Sequence, residues 1–125
     1  MPTPQLGSIL LATTDPERLR GWYERAFGVA PNPNGFLEFG GVAVLVDRRH
    51  DVADQAVEPA RLICNFHVDD AKATAAHLDT MGVTWVAELE FRGDAWFATT
   101  VDPDGNYVQI IELTDAYWEA RGGRR

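Results

Sequence analysis

An internal repeat constrains this chain more than any other feature of its sequence. Residues 8–29 open with Ser-Ile-Leu-Leu-Ala-Thr-Thr-Asp and close at Gly28-Val29, and residues 63–83 open with Ile-Cys-Asn-Phe-His-Val-Asp-Asp and close at Gly82-Val83. Asp15 and Asp70 stand 55 residues apart and Gly28 and Gly82 54 apart, so one residue is lost between the paired landmarks. Self-similarity at a fixed offset means one supersecondary motif used twice.

Each copy has the same local chemistry. An apolar run predicts a strand, after which Asp15 or Asp70 can accept a hydrogen bond from the free N–H groups of a new helix. Pro16 falls at the first helical position, where a missing donor does no harm. Leu19, Trp22, Tyr23, Ala26 and Phe27 then follow at helical spacing and form one apolar stripe. Ala71, Ala75, Leu78 and Met81 make a thinner stripe in the second copy. Gly28 and Gly82 predict the helix ends.

Short strands are expected after each helix. In the first half, Gly35–Phe39 and Val42–Asp47 flank Gly40-Gly41, a hairpin signal. Pro31 to Asn34 reads as a turn or a short irregular strand. In the second half, Thr84–Phe91, Ala95–Val101 and Tyr107–Leu113 are separated by Arg92-Gly93-Asp94 and by Asp102–Asn106. The expected organisation is α+β: one domain over residues 1–125, built of a βαβββ module at 6–47, a polar linker at 48–60, a second βαβββ module at 61–113, and an extension at 114–125. Asp115–Glu119 is expected to form one helical turn, and the Gly- and Arg-rich end to fray.

The most specific motif is Asp102-Pro103-Asp104-Gly105-Asn106, which feeds Tyr107-Val-Gln-Ile-Ile-Glu-Leu113. Pro103 presets φ, Asp104 tolerates a tight turn and Gly105 accepts positive φ. The turn and strand resemble the closing hairpin of the vicinal oxygen chelate superfamily, which includes glyoxalases, extradiol dioxygenases and bleomycin-resistance proteins. The resemblance spans about residues 6–113 and implies two βαβββ modules curled into an incomplete barrel around a cavity, with helices outside.

Strand alternation then sorts the side chains. Ser8, Leu10 and Ala12 are expected on the cavity side of the first strand, Ile63, Asn65 and His67 on the repeat strand, and Tyr107, Gln109 and Ile111 on the last. Aligning Val42 with Tyr107 puts Val44 level with Gln109. Phe36, Glu38 and Trp96 complete the expected lining, with Trp96 free to stack on a planar or cationic ligand. Metal-holding members of the superfamily usually carry a Glu three residues after the turn Asn, and here that position is Gln109. The four places from which such members draw ligands correspond to Ser8, Val44, Ile63 and Gln109. A divalent cation needs several oxygen or nitrogen donors. Val44 and Ile63 offer none, so no metal or other cofactor is expected.

Bulk properties exclude further classes. The net charge is −8, shared between residues 1–60 (−3) and 61–125 (−5), whereas nucleic-acid binders concentrate basic residues on one face. No apolar run is long enough to span a membrane. The single Cys64 precludes an internal disulfide and suits a reducing cytoplasm. No phosphate loop, nucleophile elbow or paired-cysteine site is present.

The resemblance therefore implies a protein like the metal-free bleomycin-resistance branch: a cytoplasmic homodimer binding a small organic molecule, aromatic or cationic. The alternative is a lyase or dioxygenase-like enzyme of the same superfamily, with His67 as acid or base or with a displaced metal site. Imidazole suits proton transfer near neutral pH. A partner-binding module with a vestigial cavity is the third reading.

Overall fold

The computed structural model describes residues 1–124. Two compact units divide the chain, Met1–Gln55 and Ala56 onward.

The first unit runs β1 (Ser8–Thr13), α1 (Pro16–Phe27), β2 (Leu37–Phe39) and β3 (Val42–Arg48). Asp15 caps α1 as expected, its carboxylate accepting from the Arg18 N–H at 3.2 Å. Gly28 ends the helix in the left-handed conformation at φ 62°. The apolar stripe is buried at Leu19, Trp22, Tyr23 and Ala26. β3 lies in the middle of the sheet, parallel to β1 and antiparallel to β2. The unit is thus βαββ, one strand short of the expected module. The stretch Pro31–Asn34 is a turn because the Asn32 side chain accepts from the N–H groups of Asn34 (2.9 Å) and Phe36 (3.0 Å), satisfying donors a strand would need for pairing.

The second unit has all the expected pieces: β4 (Cys64–His67), α2 (Ala71–Thr80), β5 (Trp85–Arg92), β6 (Ala95–Val101) and β7 (Tyr107–Leu113), followed by α3 (Asp115–Ala120). Its sheet order is β4-β7-β6-β5, with β4 parallel to β7 and the rest antiparallel. Asp70 accepts from the Ala73 N–H at 3.0 Å, and Glu112 of β7 accepts from the Ala71 N–H at 2.8 Å. Two of the free donors at the start of α2 are therefore satisfied, one of them from the sheet. β5 carries two register shifts, between Trp85 and Ala87 and between Ala87 and Glu90, which bend this edge strand.

The Asp102–Asn106 turn is closed by two backbone hydrogen bonds, Asp102 N–H to Asn106 O and Gly105 N–H to Asp102 O, both 2.9 Å, and by one carboxylate. Asp102, only 3% exposed, accepts from the N–H groups of Asp104 and Asn106 and from the Asn106 side-chain amide at 2.9 to 3.2 Å. Gly105 takes φ 82° within it.

Candidate functional site

Each sheet has one face covered by its helix and one facing away, and pairing register assigns residues to them. In the first unit, Phe27 of α1 meets Phe39 of β2 edge to face at 5.9 Å, so Phe39 and its pairing partner Val42 mark the helix face. Ile9, Leu37, Val44 and Val46 belong to it by alternation and pairing. The opposite face carries Ser8, Ala43 and Glu38 in one row and Leu10 beside Leu45 in the next.

Val44 is therefore a correction. It lies on the helix face, 7% exposed, and the residue in the first unit that corresponds to Gln109 is Leu45. A one-residue slip in register exchanges the two faces of a strand, and aligning Val42 with Tyr107 made that slip. Phe36 stands just before β2, inside the Asn32 turn. Glu38 accepts from the Asn32 side-chain amide at 2.8 Å.

In the second unit the helix face is marked by the Glu112–Ala71 bond and by Trp85, whose indole N–H donates to Asp79 of α2 at 2.7 Å. Trp96 pairs with Glu112 and so lies on this face, with the Lys72 ammonium of α2 4.6 Å from its ring and Phe91 at 5.2 Å. The expectation that Trp96 accompanies Gln109 does not match this placement. The aromatic residue that β6 places on the Gln109 face is its neighbour Phe97.

That face carries a short polar row. Asn65 of β4, Gln109 of β7 and Thr99 of β6 are consecutive partners across three strands. The Gln109 amide donates to the Thr99 hydroxyl at 3.3 Å. One row along are His67, Ile111 and Phe97, and on the other side are Tyr107 and Val101. Asn65 and His67 are exposed, Gln109 and Tyr107 half-buried, and Thr99 and Ile111 buried, so the rows run from solvent inward. Ile63 precedes β4 and is 37% exposed.

Sequence reading placed Ile111 on this face but missed Thr99, Phe97 and Leu45. For Thr99 and Phe97 the signal was present: the turn pairs Val101 with Tyr107, and counting back two residues puts Thr99 opposite Gln109.

The arrangement offers amide and hydroxyl groups between apolar neighbours, with one imidazole nearby. Among the described residues no three His, Cys, Asp or Glu side chains gather as a metal-binding group. With Leu45 in place of Val44, the positions corresponding to the superfamily's ligands are Ser8, Leu45, Ile63 and Gln109, and these do not fit a divalent cation. The Cys64 thiol sits on the helix face, its pKa pushed up by burial and then by the charge of Asp102. It is a poor nucleophile in that position. Among the described residues no helix is long and apolar enough to cross a membrane.

Comparison with known proteins follows the same line. The model of the glyoxalase-like domain family matches residues 8–111. No curated protein matches the sequence. Among solved structures, a glyoxalase/bleomycin resistance protein/dioxygenase family enzyme from Burkholderia phytofirmans PsJN superposes with a TM-score of 0.73 at 14% identity, over 88% of this chain and 99% of that one. Virulence protein STM3117 from Salmonella typhimurium gives 0.70 at 17% identity, covering 91% and 100% of the two chains. TnmS3, an antibiotic binding protein from Streptomyces sp. CB03234, gives 0.68 at 18%, covering 91% and 99%. At these identities the likeness speaks for the fold alone. The family model covers most of the sequence, and the chain belongs to the glyoxalase-like domain family of the vicinal oxygen chelate superfamily.

Proposed function

We propose that this protein binds a small organic molecule, with an aromatic or cationic body, on the Gln109 face of its second unit, without a metal. The observation that carries the reading is the row Asn65–Gln109–Thr99, flanked by the apolar side chains of Ile111 and Phe97 on one side and by Tyr107 and Val101 on the other. A mostly apolar surface with a few orienting polar groups is what a small organic ligand requires. Two of the superfamily's four metal positions, Leu45 and Ile63, are aliphatic, which supports a pocket that works through hydrogen bonds and packing. A protein of the same fold, TnmS3, is an antibiotic binding protein, in keeping with this reading. The net charge of −8 favours approach of a cationic body.

His67, on the same face and one row away, is the group that would act as acid or base if the bound molecule is turned over. We further infer a cytoplasmic homodimer, in which unpaired backbone on the sheet edges β1, β4 and β5 offers pairing surface. Light scattering on the eluted peak should give twice the 13.9 kDa chain mass, and a peak of chain mass defeats the dimer.

A thermal-shift screen of cationic antibiotics, thiol conjugates and divalent metals tests the function, because a ligand of the native state raises the melting temperature. Stabilisation by an organic compound, lost in Gln109→Leu, is the expected result. Stabilisation by metals alone would overturn it.

A further inference from the structure

We propose that the polar contact in this site is made to an uncharged carboxamide or lactam edge of the ligand, whatever charge the rest of the molecule carries. The inference rests on the small-molecule reading above and narrows it to one kind of recognition. Its basis is the hydrogen-bonding inventory of the row. Gln109 uses one amide hydrogen on Thr99, leaving its second N–H and its carbonyl oxygen. Asn65, its partner on β4, makes no side-chain hydrogen bond among the described residues and offers a whole carboxamide. Thr99 accepts from Gln109 and keeps its own O–H to donate. Adjacent strands lie about 4.8 Å apart, so two carboxamides and a hydroxyl stand within reach of one small planar group.

This row presents donors and acceptors side by side and no formal charge. A carboxamide edge is its own complement, since each N–H finds an oxygen and each oxygen an N–H. A carboxylate brings acceptors only, and the net charge of −8 opposes its approach. An ammonium brings donors only, and the one anion in the polar row and the rows beside it, Glu90 of β5 opposite Phe97, is already paired with Arg92 rather than available to replace its lost water. That pair, Arg92 with Glu90 at 2.9 Å, is closed on itself at the β5 end of the row, and the Arg92 guanidinium lies 4.4 Å from the Phe97 ring centroid. Tyr107, Phe97 and Ile111 supply the apolar flanks on which a ring attached to the amide can rest.

Three matched probes decide the matter: 2-naphthamide, 2-naphthoate and 2-naphthylmethylammonium, titrated into the full-length protein. Nitrogen–proton correlation spectra read the side-chain NH2 signals of Asn65 and Gln109 directly, with Asn65→Leu and Gln109→Leu providing the assignments. The naphthamide should shift both signals and bind at least tenfold more tightly than either charged probe. Asn65→Leu, at an exposed position that leaves the fold intact, should weaken it by about 2- to 10-fold, the range for a neutral hydrogen bond. Gln109→Glu should lower affinity for the amide and raise it for the ammonium. If a charged probe moves the same NH2 signals and binds as tightly as the amide, the neutral edge is overturned while the small-molecule site survives. If none of the three moves any signal from this face, both readings are overturned.

Discussion

Asp102 shows how much one side chain can fix. Its carboxylate gathers three N–H groups at 2.9 to 3.2 Å and is nearly excluded from water. Removing such an acceptor leaves buried donors unpaired, each loss amounting to about 1–3 kcal/mol. Asp102→Ala should therefore destabilise the protein by about 2–4 kcal/mol in urea unfolding, with Asp102→Asn intermediate. A change below about 0.5 kcal/mol, the size typical of surface substitutions, would mean that the turn is held otherwise. Cys64 gives a prediction of opposite character. Burial, with the nearby Asp102 charge behind it, raises the thiol pKa, so less thiolate exists at any pH below that value. Native protein should react with a disulfide reagent more slowly than urea-unfolded protein at mildly alkaline pH, and the native rate should climb only as pH rises further. Equal rates in the two states would refute the assignment. The residues also show where sequence reading stops. Gln109, Asn65 and His67 were legible as one face because they flank an anchored turn or alternate along one apolar strand. Trp96 was not, because Trp96 and Phe97 are adjacent aromatics of similar strand preference and only the partner register separates them.

Helix capping belongs to the scale of elements. Both helices start at an Asp, as the repeat foretold, because a short carboxylate is the natural acceptor for free N–H groups. α2 has a second support in Glu112, which joins the last strand to the first turn of the helix. Asp70→Ala should lower stability by about 1 kcal/mol and Glu112→Ala by about 1–2 kcal/mol, read from denaturant midpoints. Because both groups serve one helix end, the double variant should depart from additivity, and simple addition would show that they act independently. Glu112 could not be read from sequence, since its partner is 41 residues away. The same limit explains the missing strand at Pro31–Asn34. Two prolines and two asparagines allow either a turn or an irregular strand, and the Asn32 side chain decides by capturing two backbone donors.

For the molecule as a whole, charge and donor set make the sharpest expectation. Protein purified without chelator should carry less than about one tenth of an equivalent of Zn, Fe, Ni or Mn, because the corresponding positions offer aliphatic groups, a hydroxyl and an amide. Gln109→Glu should not create a metal-dependent glyoxalase, since Leu45 and Ile63 still give an ion nothing. Stoichiometric metal in the purified protein, or metal-dependent turnover by that variant, would refute this.

One arrangement also bears on how the protein is made. β7 lies inside the second sheet, between β4 and β6, yet it is the last of the described strands to leave the ribosome. β4 must wait with an unpaired edge until residues 107–113 emerge, and α2 lacks its Glu112 support for as long. The first unit, whose central strand is finished at Arg48, can close its sheet early. Synthesis therefore separates the halves in time: an early sheet completed in passing, and a late one formed almost at once when the C-terminal strand arrives.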